Sequence, residues 1–463
     1  MKIKSTYKAI AGIILVMGVT QYSCSKFDGR ENDNPDSEWL SGGTQTAFDE
    51  SSGAYGHAFT GMPDYLKRVH EIGDGQFNAI FVSAPAPLNP GKGPIFNNLS
   101  CASCHIADGR GKVPGAKDSS ISILFRVSIP GMGANGGVNP VPGFGDQLQN
   151  KSLFGVAKEA DVLINYTEKT FYFDDGTPYT LRYPAYTITN TYIPLPQNVM
   201  LSPRVASPVF GTGLLEAISE SDILSRADPD DKDGDSISGR PNYVWNQLLQ
   251  KSTLGRFGWK ANQPTLLQQT AMAYNQDIGI TNSVFPTESS YGQPQYDNRN
   301  DDPELSDSLL YSTEFYVRTL QVPVRRNVKN SDVQQGKALF VELGCSKCHI
   351  PDQRTAVNVA FPMISNQFIH PYTDLLLHDL GDELADNRPD FLANGNEWRT
   401  APLWGIGLTQ RVNGHTNFLH DGRARSLIEA IMWHGGEAES VKNKVKALDK
   451  TKRDALIAFL NSL

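Results

Sequence analysis

The sequence predicts a mainly α-helical protein built from two related units, the first enlarged by loops and a β-hairpin. Three observations carry this expectation. A Cys-x-x-Cys-His stretch occurs twice with matching residues after it, as "CASCHIADGRG" (101–111) and "CSKCHIPDQR" (345–354). A second element repeats as well: "RVASPVFGTGL" (204–214) and "RTAPLWGIGL" (399–408) share Arg, Ala, Pro, bulky residues and then Gly-x-Gly-Leu, each downstream of its Cys motif. Helical patterns precede the second Cys motif and close the chain.

The chain begins with Lys2, Lys4 and Lys8 and then "AIAGIILVMGV" (9–19), an apolar run too short to span a bilayer. Residues 1–23 are therefore expected to be an export signal. "VTQYSC" ends at Cys24 and resembles a lipoprotein processing site that would place a lipid on Cys24. Gln21 departs from that pattern, which has an aliphatic residue there, and plain secretion is the alternative. No later segment is long and apolar enough for a transmembrane helix, so contact with a membrane is expected only through the Cys24 anchor. Without residues 1–23 the formal charge goes from −8 to −11, with 39 basic against 50 acidic residues. No basic patch stands out, which argues against a nucleic-acid partner. An acidic body is compatible with a small basic redox partner.

Residues 24–55 are polar and read as a tether. Residues 56–325 form the first, enlarged unit. In it, "TFYFDDGTPYTLRYPAYTI" (170–188) alternates around Asp175-Gly176 and predicts a β-hairpin, and the Pro- and Asn-rich 291–307 predicts a surface loop. Residues 326–463 form the second unit. "SDVQQGKALFVELGCSKCH" (331–349) opens with Ser331 or Asp332 as N-cap and sets Ala338, Leu339 and Leu343 at helical spacing. "TKRDALIAFLNSL" (451–463) predicts a closing amphipathic helix.

Cysteine usage gives the chemistry. Of five cysteines, Cys24 sits at the signal boundary and the other four fill the two motifs with none left over. Thiols at i and i+3 can add to the two vinyl groups of one haem, and the adjacent His then reaches the iron. A thioredoxin-like pair would want one copy beside a βαβ pattern. Zinc needs four converging ligands and leaves a His beside each pair unexplained. The expectation is two covalently bound c-type haems, on Cys101, Cys104 and His105 and on Cys345, Cys348 and His349, in two cytochrome c-like domains. Arg204 and Arg399, heading the second repeat, either approach the haem propionates or cap a carbonyl in a helix-entry loop.

"FNNLSCASCHIADGRG", "GTGLLEAI", "DPDDKDGDSISGRPN", "GRFGWKANQPTLLQQTA", "DIGIT" and "LHDGRARSLIEAIMWHGGEA" together resemble the bacterial di-haem oxidoreductase (thiol-oxidoreductase-like) family. That family is related to di-haem cytochrome c peroxidases and to the di-haem enzyme that matures methylamine dehydrogenase. The resemblance covers nearly everything after residue 55. In the related peroxidases a Met at the end of the helix here spanning Ser426–His434 ligates the electron-transfer haem. His434 falls at that position and Met432 two residues short, so the resemblance implies His434 on the second iron; His370, His378, His415 and His420 are the other nearby candidates. A six-coordinate second haem would be an electron port, leaving the first haem as the reactive site.

Four further expectations concern that first site. Glu216, in "GTGLLEAI", is the carboxylate expected to move a proton there, with a helix-surface Glu as the alternative. His57 and His70 precede the motif as candidate reversible ligands. Trp259 is the first candidate to bridge the haems and Trp245 the second, although a large aromatic is more often core. Asp231, Asp233 and Asp235 fall at the first three ligand positions of an EF-hand-type Ca2+ loop, without its Gly or its twelfth-position Glu; related peroxidases hold calcium between their haems. The leading expectation is a periplasm-facing or cell-surface oxidoreductase of peroxidase type, taking electrons from a small donor protein and acting on a small-molecule oxidant. A non-catalytic electron-transfer lipoprotein, or an enzyme oxidising a protein or thiol substrate, are the alternatives.

Overall fold

A computed structural model of the chain describes residues 37–114 and 122–463; the segment expected to be an export signal, and Cys24, lie outside the described residues. The main helices are α1 (Asp64–Asn78), α2 (Leu266–Ala273), α3 (Asp307–Arg318), α4 (Ser331–Leu343), α5 (Leu427–Trp433) and α6 (Lys450–Ser462). The long strands are β1 (Ile123–Met132), β2 (Asp161–Tyr172), β3 (Pro178–Thr189) and β4 (Met200–Val205).

The expectation of a mainly α-helical protein made of two cytochrome c-like folds is overturned: 28% of residues are helical and 20% are in strands spread over many small sheets. Helical periodicity surrounds the Cys motifs, but 41 glycines and 28 prolines cut the intervening stretches into pieces too short to nucleate helices. Those pieces satisfy their backbone groups in brief strand pairs, such as Ile95–Phe96 with Lys151–Ser152 and Leu377–Asp379 with Glu397–Arg399. The four-stranded sheet pairs β1 with β4 antiparallel, Ile123 opposite Val205 through Ser128 opposite Met200.

The duplication is visible at atomic detail. α1 crosses α3 at Gly73, where an added Cβ would lie 2.0 Å from the Ser312 carbonyl; α4 crosses α6 at Gly336, where it would lie 2.0 Å from that of Ala455. Only glycine lets the backbones touch there. Four residues on, Phe77 packs 6.0 Å from the His105 ring and Phe340 packs 6.4 Å from the His349 ring, centroid to centroid. The Gly-x-Gly-Leu copies interlock. Gly211 (φ 70°) and Gly405 (φ 72°) are left-handed. A side chain at Gly211 would meet Trp404 at 2.6 Å, and one at Gly405 would meet Phe210 at 2.5 Å. Phe210 and Trp404 are the equivalent bulky residues of the two copies, so each lays its ring over the other's glycine.

Local details differ from the sequence reading. The N-cap of α4 is Asn330, whose side chain accepts the Asp332 and Val333 N–H groups at 2.8 and 3.3 Å. Its buried face is Val333, Gly336, Leu339, Phe340 and Leu343, with Ala338 exposed. Residues 37–55 are folded rather than tether-like. Thr46–Ala47 pairs in parallel with Val322–Pro323, and Thr44 donates to Gln367 Oε1 through N (3.0 Å) and Oγ1 (2.8 Å). The hairpin is longer than expected, β2 and β3 pairing from Asp161–Thr189 to Tyr172–Pro178 with Gly176 (φ 83°) in the turn. It lies against the far part of the chain. Tyr183 meets Trp433 edge-on at 4.7 Å, Arg182 donates to the Gly422 carbonyl at 2.9 Å, and Arg453 pairs with Asp175 at 2.7 Å.

Candidate functional site

The first Cys motif opens onto a cavity of about 260 Å³. Cys101, Cys104 and His105 lie on its wall with Phe77, the 204–210 segment, one face of α2 (Leu266, Gln269, Thr270, Ala273) and Trp404. The thiols are half-buried by area, yet what they open onto is the cavity; burial pushes Cys101 up to about 12 and Cys104 to about 11. His105 is held by its Nδ1, 2.7 Å from the Ser207 carbonyl. The nitrogen facing that carbonyl is the N–H, which leaves Nε2 as the free lone pair. Burial pushes this imidazole down to about 4, so it is neutral and able to ligate.

The second motif is organised the same way with a different partner set. His349 Nδ1 lies 3.1 Å from the Tyr372 carbonyl. His434 caps the C-terminal end of α5, with Nδ1 2.7 Å from the Ala430 carbonyl. Both Nε2 atoms are therefore lone-pair donors, and the two rings are near enough that a charge on His434 would oppose one on His349; burial, then that opposition, hold His349 down at about 4. Met432 is packed in the apolar core with Leu339, Phe340 and Trp433. α5 starts at the N-cap Ser426, whose Oγ accepts the Glu429 N–H (3.2 Å), while Glu429 Oε2 accepts the N–H of the preceding Arg425 (2.9 Å). These bonds fix the start of the helix and so the place of His434 at its end.

Trp259 stands at the wall of the first cavity, where the two repeat copies meet. Its indole N–H donates to the Val205 carbonyl at 2.8 Å, and its own carbonyl accepts the Arg399 N–H at 2.8 Å. It thus ties one copy of the repeat to the other while lining the cavity. Trp245 instead donates to Gln247 in a local hairpin. Arg204 lines the cavity but pairs with Asp390 at 2.9 Å. Arg399 and Arg110 also line it, and among the described residues neither has a carboxylate within ion-pair distance. Burial holds each guanidinium down at about 10. Buried guanidiniums without counter-ions call for an anionic group in the cavity, and the two carboxylates of a haem would supply it. Buried thiols, Nδ1-anchored imidazoles and uncompensated arginines make a donor set that fits haem.

A family model described as "Di-haem oxidoreductase, putative peroxidase" matches residues 37–463. The chain belongs to this family. No match was found among curated proteins or among solved structures. Haem is accordingly the cofactor of this di-haem oxidoreductase.

Other residues singled out in the sequence fall elsewhere in the oxidoreductase. Glu216 does not line the cavity. Its Oε1 accepts the Leu266 N–H at 2.7 Å, starting α2, and its Oε2 pairs with Arg318 at 2.5 Å. The carboxyl that does line the cavity is Asp277 of "DIGIT", accepting from Gln147 Nε2 at 2.7 Å and pushed up by burial. The quoted motif contained Asp277 and the repeated tail of the Cys motif contained Arg110, but neither carries a spacing signal that marks its role. His57 is exposed beside Asp49, and His70 is buried against Thr319 Oγ1 at 2.7 Å. His370 pairs with Asp352, His415 faces the Arg110 carbonyl, and His420 stacks on Trp398 at 3.7 Å. His378 lies between Asp374 (2.8 Å) and Glu437 (2.7 Å); burial opposes its charge, but the Asp374 carboxylate wins and raises it well above the usual range. Asp231, Asp233 and Asp235 bring carboxylate oxygens within 4.8 Å of one another, and Asp235 also pairs with Lys347, inside the second Cys motif, at 2.8 Å.

Proposed function

We propose that this di-haem oxidoreductase is an exported peroxidase-type enzyme whose first haem is the reactive site and whose second is the electron port. One observation carries the reading. Among the described residues lining the first cavity, His105 is the only His, Met or Lys, whereas His349 has His434 across from it. The first iron would then keep an open position and the second would be closed by two imidazoles. Both haems would be attached through their thiol pairs.

Haem supplies an iron that accepts and returns single electrons. Reducing a peroxide to two waters takes two electrons and two protons, so the chain must deliver both. Ser207 fixes the His105 tautomer through its carbonyl. Asp277, whose carboxyl burial pushes up, is the group at the cavity wall that would hold and pass on a proton. Trp259 spans the two repeats and lies on the route electrons would take. Arg110 and Arg399 would hold the haem's carboxylates. The acidic turn at Asp231, Asp233 and Asp235 would take calcium in competition with Lys347.

Spectroscopy of the oxidised and half-reduced protein tests the reading. One high-spin haem that reacts with peroxide and one low-spin haem are expected. Two low-spin haems, inert to peroxide at every reduction level, would sink it. His434→Ala should turn the low-spin haem high-spin, and an unchanged spectrum refutes that ligand. Export and lipidation are checked by the mass of the mature N-terminus; a protein retaining residues 1–23 would refute them.

A further inference from the structure

A second cavity of about 110 Å³ lies beside the haem cavity, lined by Asp146, Gln147, Gln149, Glu159, Gln276 and Ser289. Hydrogen bonds fix which way both glutamine amides point. Gln147 Nε2 donates to Asn97 Oδ1 (2.7 Å), Asp277 Oδ1 (2.7 Å) and the Gln276 carbonyl (3.2 Å). Gln149 Nε2 donates to the same carbonyl at 2.7 Å. Their oxygens are then left over. Gln147 Oε1, Gln149 Oε1 and Glu159 Oε1 have no partner, on residues that are 3%, 2% and 0% exposed.

The surroundings do not answer these oxygens. Glu159 Oε2 accepts the Gln149 N–H at 2.6 Å, the Gln293 side chain also approaches that carboxyl, and Asp146 Oδ1 already accepts from Gln276 Nε2 at 2.8 Å. Arg126 lies 3.9 Å from Asp146, bonds to Gln276 Oε1 and lines the haem cavity instead. No Lys, Arg or His lines the small cavity among the described residues. Burial pushes the Glu159 carboxyl up to about 8, as for a carboxylate enclosed without a counter-ion.

We propose that Gln147, Gln149 and Glu159 form a buried calcium site beside the first haem. The chemistry selects a hard cation, because every free donor is oxygen and none is sulfur or imidazole. It selects calcium over magnesium, because amide and carboxylate oxygens from a strand end and the irregular segments after it suit six to eight flexible bonds better than a strict octahedron. The cavity has room for the ion and about two waters, at ~30 Å³ each. Gln147 links the site to the haem pocket, since its amide also holds Asp277.

The test is calcium titration of the chelated, desalted di-haem protein by calorimetry. The background is a variant with Asp231, Asp233 and Asp235 all changed to Asn, so the exposed acidic turn does not contribute. One calcium per chain should remain in that background, and it should raise the melting temperature. Adding Glu159→Gln should weaken binding at least about tenfold, while the new amide still accepts the Gln149 N–H and can donate to the free oxygens. Unchanged haem absorption confirms that this variant is folded; if it does not fold, Gln149→Leu reads the same site and should also weaken binding. A turn variant that binds no calcium overturns the proposal, as does binding undiminished by Glu159→Gln or, in its place, Gln149→Leu. Haem spin states and peroxide reactivity are scored separately, so failure of the calcium site and failure of the peroxidase reading are distinguishable.

Discussion

Glu216 lies off the cavity and does structural work, whereas Asp277 lines it. Glu216 is committed to the start of α2 and to Arg318. Glu216→Gln should therefore cost about 1.5–3 kcal/mol of stability, the range for a hydrogen bond to a charged group, and leave peroxide consumption intact. Asp277→Asn should slow peroxide consumption at least about a hundredfold, the low edge of what a positioned proton donor contributes. Equal activity losses in the two variants, measured at saturating electron donor, would contradict this assignment. The same contrast separates His434 from Met432. They are two residues apart on α5, but the helical repeat turns Met432 into the core and leaves His434 at the helix end.

Among elements, the helix crossings are the least tolerant. Alanine normally favours a helix over glycine by about 1 kcal/mol. Gly336→Ala should nonetheless destabilise by about 1–3 kcal/mol, the usual range for overpacking, because its Cβ would lie 2.0 Å from the Ala455 carbonyl of α6. A melting temperature equal to or above wild type would refute this contact. A loop cluster makes the opposite kind of prediction, with pH. Glu288, Asp302 and Glu304 converge within 4.8 Å, and burial pushes Glu288 and Glu304 each up to about 7. Their folded values exceed the unfolded ones, so folding favours the protonated forms. The stability they contribute is complete below about pH 4.5 and is lost as pH rises to about 7. Glu304→Gln should shrink the difference between denaturation midpoints at pH 5 and pH 8, and an unaltered difference would argue against the cluster.

At the scale of the whole molecule, Trp259 joins the two copies of the Arg-to-Gly-Leu repeat. Trp259→Phe keeps a ring but loses the bond to the Val205 carbonyl. It should slow electron transfer between the haems while leaving each haem's own spectrum unchanged, as read by stopped-flow reduction of the pair. An unchanged transfer rate would reduce Trp259 to a packing residue.

Both Cys-x-x-Cys-His motifs, the repeat and the hairpin turn were legible in the chain, because each is local: ligand spacing, a Gly-x-Gly and an Asp-Gly need no distant partner. The overall helix content was not legible, since strand pairs such as Ile95–Phe96 with Lys151–Ser152 join segments that carry no pattern of their own. The Gly73/Phe77 and Gly336/Phe340 correspondence was also hidden, because insertions put Phe77 and Cys101 far apart while Phe340 and Cys345 stay close. The sequence by itself determined where the two Cys-x-x-Cys-His sites lie, since such a site depends only on residue type and short spacing. Only the tertiary structure decided which carboxyl reaches the cavity, which arginines stand without counter-ions, and which amide oxygens enclose the small cavity beside it. Those are properties of where buried polar groups find partners, and a partner hundreds of residues away leaves no mark on the local sequence.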